Sequence, residues 1–140
     1  MRKLVRISLS LLVGASIIAC DDCDDCLDLQ QKNVLVQDSN GNNLLFGLSA
    51  IYNREELKIT SNGGEVRSLF SEEATQTVLF FLLEGETNYT LELNETTTVT
   101  LGFELGMRES QRCCGDQLYS TATTLNGATV ENADTIIIVL

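Results

Sequence analysis

The sequence of 140 residues contains no histidine, no proline and no tryptophan. Without histidine, the chain cannot form a Ser-His-Asp or Cys-His catalytic centre or an imidazole-based metal site. Without proline, the edges of any β-sheet must be protected by Lys, Glu or covering loops. Basic residues are also scarce, nine against 20 acidic ones, which gives a formal charge of −11. A surface of that sign repels nucleic acid and anionic lipid, so we expect no nucleic-acid partner.

Long apolar runs are absent from the N-terminal region as well. The uncharged stretch at residues 7–18 has 12 residues, whereas a membrane-spanning helix needs about 20. Three basic residues precede it, and the small residue Ala19 follows it. This order is typical of a secretory signal peptide, so we predict a helical, cleaved signal peptide at residues 1–19. The alternative is a buried N-terminal helix, which would place an entirely apolar cylinder inside a very small domain.

The apolar stretch ends in Ile17-Ile18-Ala19-Cys20. This tetrapeptide resembles the lipobox of bacterial lipoproteins, with an aliphatic residue three positions before a cysteine and a small residue directly before it. The resemblance implies that a diacylglycerol is transferred to the Cys20 sulfur and that the chain is cleaved between Ala19 and Cys20. Acyl chains such as palmitate would then hold the protein to a membrane, at about 0.8 kcal/mol per buried CH₂. A secreted protein cleaved nearby is the alternative.

An acidic run follows the predicted lipid site, at Asp21, Asp22, Asp24 and Asp25. Removal of residues 1–19 takes away three basic residues and no acidic ones, which leaves six against 20 and a charge of −14. Like charges without apolar residues favour a solvated tether, predicted here at residues 20–32. The run also resembles the export signal of surface-exposed lipoproteins of some Gram-negative bacteria, which implies the outer membrane or cell surface. A calcium site is a third interpretation.

Five cysteines are present, and four remain if Cys20 carries lipid. In an exported chain these are expected to form disulfides, and three pairings are open. We favour cross-links between the tether and the 113–114 loop, because a flexible tether adapts to disulfide geometry. Redox activity is disfavoured because the aspartates raise a thiol pKa, and a Cys₄ zinc site because adjacent cysteines are poorly spaced. The four candidates are Cys23, Cys26, Cys113 and Cys114. No cofactor or metal is expected.

Alternating apolar and polar residues predict β-strands from residue 33 onward. The clearest case is a hairpin in which residues 89–93 and 99–105 alternate with a period of two, joined by a bend at 94–96. Asn-Gly sequences at 40–41, 62–64 and 126–127 mark tight turns, because Asn and Gly accept positive φ. Further strands are predicted at residues 34–36, 57–60, 66–69, 77–83, 118–123 and 136–140.

These strands predict an all-β fold, an antiparallel β-sandwich or small barrel of about seven to nine short strands in one domain at residues 33–140. Residues 77–83 and 136–140 are apolar throughout, so both are expected to be central strands covered on both faces. Residues 44–46 fit either a strand or the start of a short helix, and residues 53–56 have the spacing of a capping box.

Motifs for chemistry are weak in this sequence. Residues 38–43 superficially resemble a calcium loop but fail its template, and a hairpin turn explains them. Asp134-Thr135-Ile136 resembles an O-glycosylation sequon of exported bacterial proteins, which makes Thr135 a candidate acceptor; the alternative is simply the start of the last strand. Adjacent pairs such as Glu55 and Glu56 point to opposite faces of a strand and do not converge.

The sequence therefore favours a lipid-anchored, non-catalytic binding or scaffolding module with a protein or glycan partner at the envelope. An alternative is a carboxylate-dependent hydrolase of envelope or extracellular glycans, for example with Glu104 and Asp116 brought together by the fold. A third hypothesis is accessory assembly through a sheet edge, for which an exposed, uncharged edge strand would be the sign.

Overall fold

The computed structural model of the chain describes residues 29–71, 75–109 and 115–140. These ranges are all-β and contain no helix, so the fold class expected from the sequence is confirmed. Among the described residues, accordingly, no helix has the length and apolarity needed to cross a membrane. Ten strands are present where seven to nine were expected: β1 Gln31–Gln37, β2 Lys58–Ser61, β3 Gly64–Val66, β4 Ser68–Ser71, β5 Thr77–Phe81, β6 Asn88–Glu92, β7 Thr98–Arg108, β8 Gln117–Leu125, β9 Ala128–Val130 and β10 Thr135–Val139.

The strands form two sheets that pack into a sandwich. One sheet has the order β10-β1-β5-β4, and the other has the order β3-β2-β6-β7-β8-β9. Every pairing between these strands is antiparallel except that of β1 with β10, which is parallel and aligns Val34 with Ile136. The parallel pair departs from the antiparallel expectation because the chain leaves β9 in one sheet and crosses to the other before β10 begins.

The core lies between the two sheets and has an aromatic centre. Phe80 on β5 contacts Tyr89 on β6, with ring centroids 5.2 Å apart, and Phe103 on β7, at 6.2 Å. Tyr89 and Phe103 lie edge to face at 5.6 Å. Since Phe80 belongs to one sheet and its two partners belong to the other, this cluster joins the layers, and tilted aromatic pairs stabilise beyond their buried area alone.

Local sequence signals explain the hairpins. The predicted hairpin is confirmed as β6 and β7, in which Tyr89 pairs with Leu101. Its bend is held by Asn94, whose Oδ1 accepts the backbone N–H groups of Thr96 and Thr97 at 2.9 and 2.7 Å. The Asn-Gly turn signal before β9 is confirmed as well, since Asn126 and Gly127 have φ of 49° and 81°.

Residues 44–46 form neither a strand nor a helix, so both alternatives were wrong. They run through bends with buried side chains, and Oδ1 of Asn43 accepts the N–H groups of Leu45 and Phe46 at 2.9 and 3.1 Å. The capping-box spacing produces one isolated turn, in which Asn53 accepts the N–H of Glu55 at 3.1 Å and donates to the Glu56 carboxylate at 3.2 Å. Side-chain capping replaces continued backbone hydrogen bonding at both places.

The two segments that are apolar throughout, residues 77–83 and 136–140, differ in their position within the sheet. β5 lies inside its sheet between β1 and β4, as expected, but it is not covered on both faces, since Leu79 and Phe81 are only half-buried. The expectation for residues 136–140 was wrong, because β10 is an edge strand and its Ile137 and Val139 side chains are 53% and 55% exposed. The reason is alternation: Ile136 and Ile138 point into the core, and no described element covers the opposite side.

Candidate binding surfaces

Most site residues predicted from the sequence lie outside the described residues. They are the cleavage and lipid residues Ala19 and Cys20, the acidic residues Asp21, Asp22, Asp24 and Asp25, and the cysteines Cys23, Cys26, Cys113 and Cys114. Their roles stay predictions. The predicted domain boundary is close to a described strand: β1 begins at Gln31, so the last two residues assigned to the tether belong to a sheet.

The structure does not bring Glu104 and Asp116 together. Glu104 lies opposite Ala122, whereas Asp116 comes directly before Gln117, which pairs with Arg108. Asp116 is therefore five to six residues from Glu104 along the strands, so at about 3.3 Å per residue their backbone positions are separated by roughly 16–20 Å. Within the described ranges, no group of three or more Cys, Asp or Glu residues is arranged to hold a metal ion.

The calcium-like segment is a tight turn after β1. The Asp38 carboxylate accepts the N–H groups of Asn40 and Asn42 at 2.8 and 2.9 Å and the Asn42 side-chain amide at 2.8 Å. These bonds, chiefly the one from the Asn42 side chain, lower the pKa of Asp38. The carboxylate is therefore used by the turn itself, as the hairpin interpretation expects.

A shallow groove lies on the outer face of the six-stranded sheet. Its centre is a row of paired residues that crosses four strands: Asn88 pairs with Gly102, Gly102 with Thr124, and Thr124 with Thr129. The groove has a volume of about 390 Å³, and Glu104 is the one carboxylate among its lining residues. A Cβ on Gly102 would lie 2.4 Å from the Thr124 hydroxyl oxygen, so a side chain at this position would displace that hydroxyl from the floor.

The groove offers hydroxyl, amide and carboxylate groups, which can hydrogen-bond a hydroxylated ligand such as a sugar. A glycosidase needs two carboxyl groups across the bond that is cleaved, and the lining residues provide only Glu104. Sequence reasoning missed this surface because its row depends on the register in which four successive strands pair, which the residue pattern does not specify. The available signal was Gly102, since a glycine inside a strand often marks a place of close approach.

Two buried polar atoms lie near the start of β6. Ser61 Oγ and Glu86 Oε2 are buried without a hydrogen-bond partner among the described residues. Burial raises the pKa of the nearby Tyr89 hydroxyl, and the Glu86 carboxylate adds to this, while the bond from the Leu83 N–H at 2.8 Å opposes it. One carboxylate and one hydroxyl do not make a metal site, because hard cations need several oxygen ligands.

The segment between β9 and β10 is held by two polar side chains. Asn132 accepts bonds from the hydroxyls of Ser120 and Thr123, both at 2.8 Å, and its amide donates to the Ser120 carbonyl at 2.8 Å. Lys32, only 3% exposed, donates to the Ala133 carbonyl at 3.2 Å, and its Nζ lies 3.8 Å from the Asp134 carboxylate. Burial lowers the pKa of Lys32, and Asp134 partly offsets this. Together these contacts set where β10 starts.

The open edge of β10 is the second candidate surface. Asn33 donates its N–H to the Asp134 carbonyl at 2.9 Å, and Leu140 donates to the Gln37 carbonyl at 3.0 Å. In this parallel register, the backbone N–H and C=O groups of Ile136 and Ile138 also point towards β1. The backbone groups of Thr135, Ile137 and Val139 therefore point away from β1, and no described strand pairs with them.

Apolar side chains continue from this edge across the outer face of the four-stranded sheet. Ile137 lies beside the half-buried Leu35 on β1, and Leu79 on β5 lies beside Leu69 on β4, which is 44% exposed. Thr135, the candidate glycosylation residue, is exposed at the start of β10, next to the Asp134 side chain, which is 92% exposed. Modification of Thr135 stays a prediction.

Comparison of the chain with protein-family models, with curated proteins and with solved structures gave no match.

Proposed function

We propose that this chain is an exported, lipid-anchored envelope protein whose β-sandwich is a non-catalytic binding or scaffolding module, and that a partner strand adds to the edge at β10. The observation that carries the binding role is the position of β10. A strand with the composition of a fully covered one lies at a sheet edge, with Ile137 and Val139 more than half exposed. Such edges accept an added strand through their free backbone groups.

The lipid anchor is supported by the sequence Ile17-Ile18-Ala19-Cys20 and by the charge that follows it. A mature chain of charge −14 is repelled by anionic headgroups, so acyl chains on Cys20 would supply the attachment. Ten residues lie between Cys20 and Gln31, so the eleven Cα–Cα steps span at most about 36 Å. If Cys20 carries lipid, this length would keep the sandwich within that distance of the membrane surface.

Photo-crosslinking in intact cells tests the binding role. A photoreactive amino acid replaces Ile137, and in a matched variant it replaces Leu69, which is similarly exposed on the same outer face at the opposite edge. We expect a discrete adduct from position 137 and none from position 69. Equal labelling at both positions, or no adduct at position 137, would contradict strand addition at β10.

A further inference from the structure

β10 carries no charge, proline or bulge that would protect it as an edge strand, and none of the described elements covers its open side. Natural sheets place charges, proline, bulges or very short strands at their edges. Residues 135–139 contain no charged residue and no proline, and their pairing with β1 is regular. β10 has five residues, whereas the other three edge strands among the described residues have four, three and three. It is therefore the longest and most apolar edge of the described sandwich.

The free backbone groups of β10 are arranged symmetrically about one residue. Thr135, Ile137 and Val139 each present an N–H and a C=O to the open side, with Ile137 in the middle. If a second β10 approaches in the antiparallel direction, Ile137 lies opposite its own copy, and Thr135 lies opposite Val139. Each of these pairs exchanges two hydrogen bonds, so all three outward N–H groups of each chain find an acceptor.

We propose that the partner strand is β10 of a second copy of this chain, paired antiparallel with a twofold axis at Ile137. This inference rests on the proposed function and names the occupant of its binding edge. The two four-stranded sheets then form one sheet of about eight strands, within the usual size range. Antiparallel edge pairing around a twofold axis is an isologous contact, the commonest symmetry of soluble homodimers.

Charge explains why two acidic chains would meet at this edge. Two copies with a formal charge of −11 each repel one another, so contact is favoured where carboxylates are few. The five residues of β10 bring none. The nearest acidic neighbour, Asp134, lies 3.8 Å from the Lys32 ammonium, which offsets its charge. By contrast, β3 contains Glu65 and β9 is followed directly by Glu131.

Side-chain contacts add to the backbone pairing. Ile137 is 53% exposed, and in the dimer it contacts its own copy across the axis, where a pair of β-branched residues stabilises a sheet. The half-buried Leu35 beside each Ile137 extends this apolar contact into both sheets. The exposed side chains of β10 are thereby partly removed from water, which gives the apolar composition of the strand a physical role.

Charge reversal at the axis tests the proposal. The full-length chain is purified in a nonionic detergent as wild type, Ile137→Lys, Ile137→Glu and the matched control Leu69→Lys. Sedimentation velocity then measures mass over a roughly hundredfold range of concentration, because dimerisation depends on concentration. Both positions are exposed on the same outer face, so the variants should fold, and circular dichroism checks that each keeps its β-sheet spectrum.

We expect a dimer for the wild type and for Leu69→Lys. Each Ile137 variant alone should dissociate, with the dimer constant weakened at least about tenfold, because like charges then face each other. An equimolar mixture of Ile137→Lys and Ile137→Glu should restore the dimer, since residue 137 of one chain faces residue 137 of the other. This rescue is specific to a twofold contact between copies.

A wild type that remains monomeric throughout, or a mixture of the two Ile137 variants that remains dissociated, would overturn the proposal. The crosslinking experiment separates this failure from that of the proposed function. An adduct from position 137 with twice the mass of the chain supports the second copy. An adduct of another mass keeps strand addition at β10 and assigns the edge to a different protein.

Discussion

At the residue scale, Asn132 holds the connection between β9 and β10 against β8 through three hydrogen bonds, each 2.8 Å long. Its neighbours in the chain lead directly into β10, so the position of the open edge depends on this side chain. These bonds matter because the buried Ser120 and Thr123 hydroxyls both donate to Asn132 and lose this acceptor if the amide is removed.

Asn132→Ala should therefore lower the free energy of unfolding by about 2–3 kcal/mol. Urea unfolding of the purified protein measures this. The matched control is Glu131→Ala, an exposed neighbour, which should stay within about 0.5 kcal/mol of the wild type. Equal effects of the two substitutions would show that the Asn132 network does not stabilise the junction.

Lys32 makes stability depend on pH in the alkaline range. Burial lowers its pKa from 10.5, so between the lowered value and 10.5 the unfolded chain binds more protons than the folded chain. The free energy of unfolding must then rise with pH across this window. Tyr89 has the opposite effect. Its pKa is raised above 10.0 in the folded chain, so above pH 10.0 it makes the free energy of unfolding fall as the pH rises.

Lys32→Met should abolish that rise while keeping the apolar stem of the side chain. Denaturant unfolding at a series of pH values up to about 10, below the range where Tyr89 loses its proton, provides the comparison. The same pH dependence in both proteins would mean that Lys32 has an ordinary pKa in the folded state.

At the scale of elements, Gly102 on β7 leaves room for the Thr124 side chain of β8 in the floor of the groove. The Thr124 hydroxyl occupies the space where a Cβ would lie, at 2.4 Å. A methyl group on residue 102 would therefore force the Thr124 hydroxyl, and with it part of the groove floor, to move.

Gly102→Ala should consequently destabilise the sandwich by about 1–3 kcal/mol. Adding Thr124→Ala should recover most of the loss, because it removes the clashing hydroxyl. A double-mutant cycle of thermal or urea unfolding measures the coupling between the two positions. Additive effects would contradict the close approach of the two side chains.

At the scale of the whole molecule, the predicted lipid anchor can be tested separately from the sandwich. Cys20→Ala should abolish labelling by a radioactive fatty acid and leave uncleaved precursor, because the acyl group is expected on that sulfur. Gel analysis of labelled cells measures both effects. Ser10→Ala, within the predicted signal peptide, is the matched control. Labelling that persists in Cys20→Ala would refute the lipid assignment.

The acidic run has its own test. If the four aspartates form an export signal, replacing them by Asn should retain the protein on the inner side of the envelope. They are Asp21, Asp22, Asp24 and Asp25. Protease accessibility on intact cells reports this location. Unchanged accessibility would assign the run to a solvated spacer, since Asn keeps the length and polarity and removes only the charge.

Local patterns were enough to predict the fold class and the main hairpin. Alternation with a period of two made residues 89–93 and 99–105 strands, and Asn94 closed the bend between them. The turn at Asn126 and Gly127 followed from residues that accept positive φ. These features depend on neighbours in the chain, so they can be derived from the sequence without knowledge of distant contacts.

The candidate surfaces were decided only by tertiary structure. The apolar run at residues 136–140 predicted a covered central strand, yet β10 lies at an edge, because its place depends on pairing with β1, which is about one hundred residues earlier in the chain. The groove depends in the same way on the register of four strands. By itself, the sequence determined most of the strand segments and several turns, although the predicted strand at 66–69 is divided between β3 and β4 in different sheets. Long-range pairing, which residue periodicity does not encode, decided which of those strands is left open to a partner.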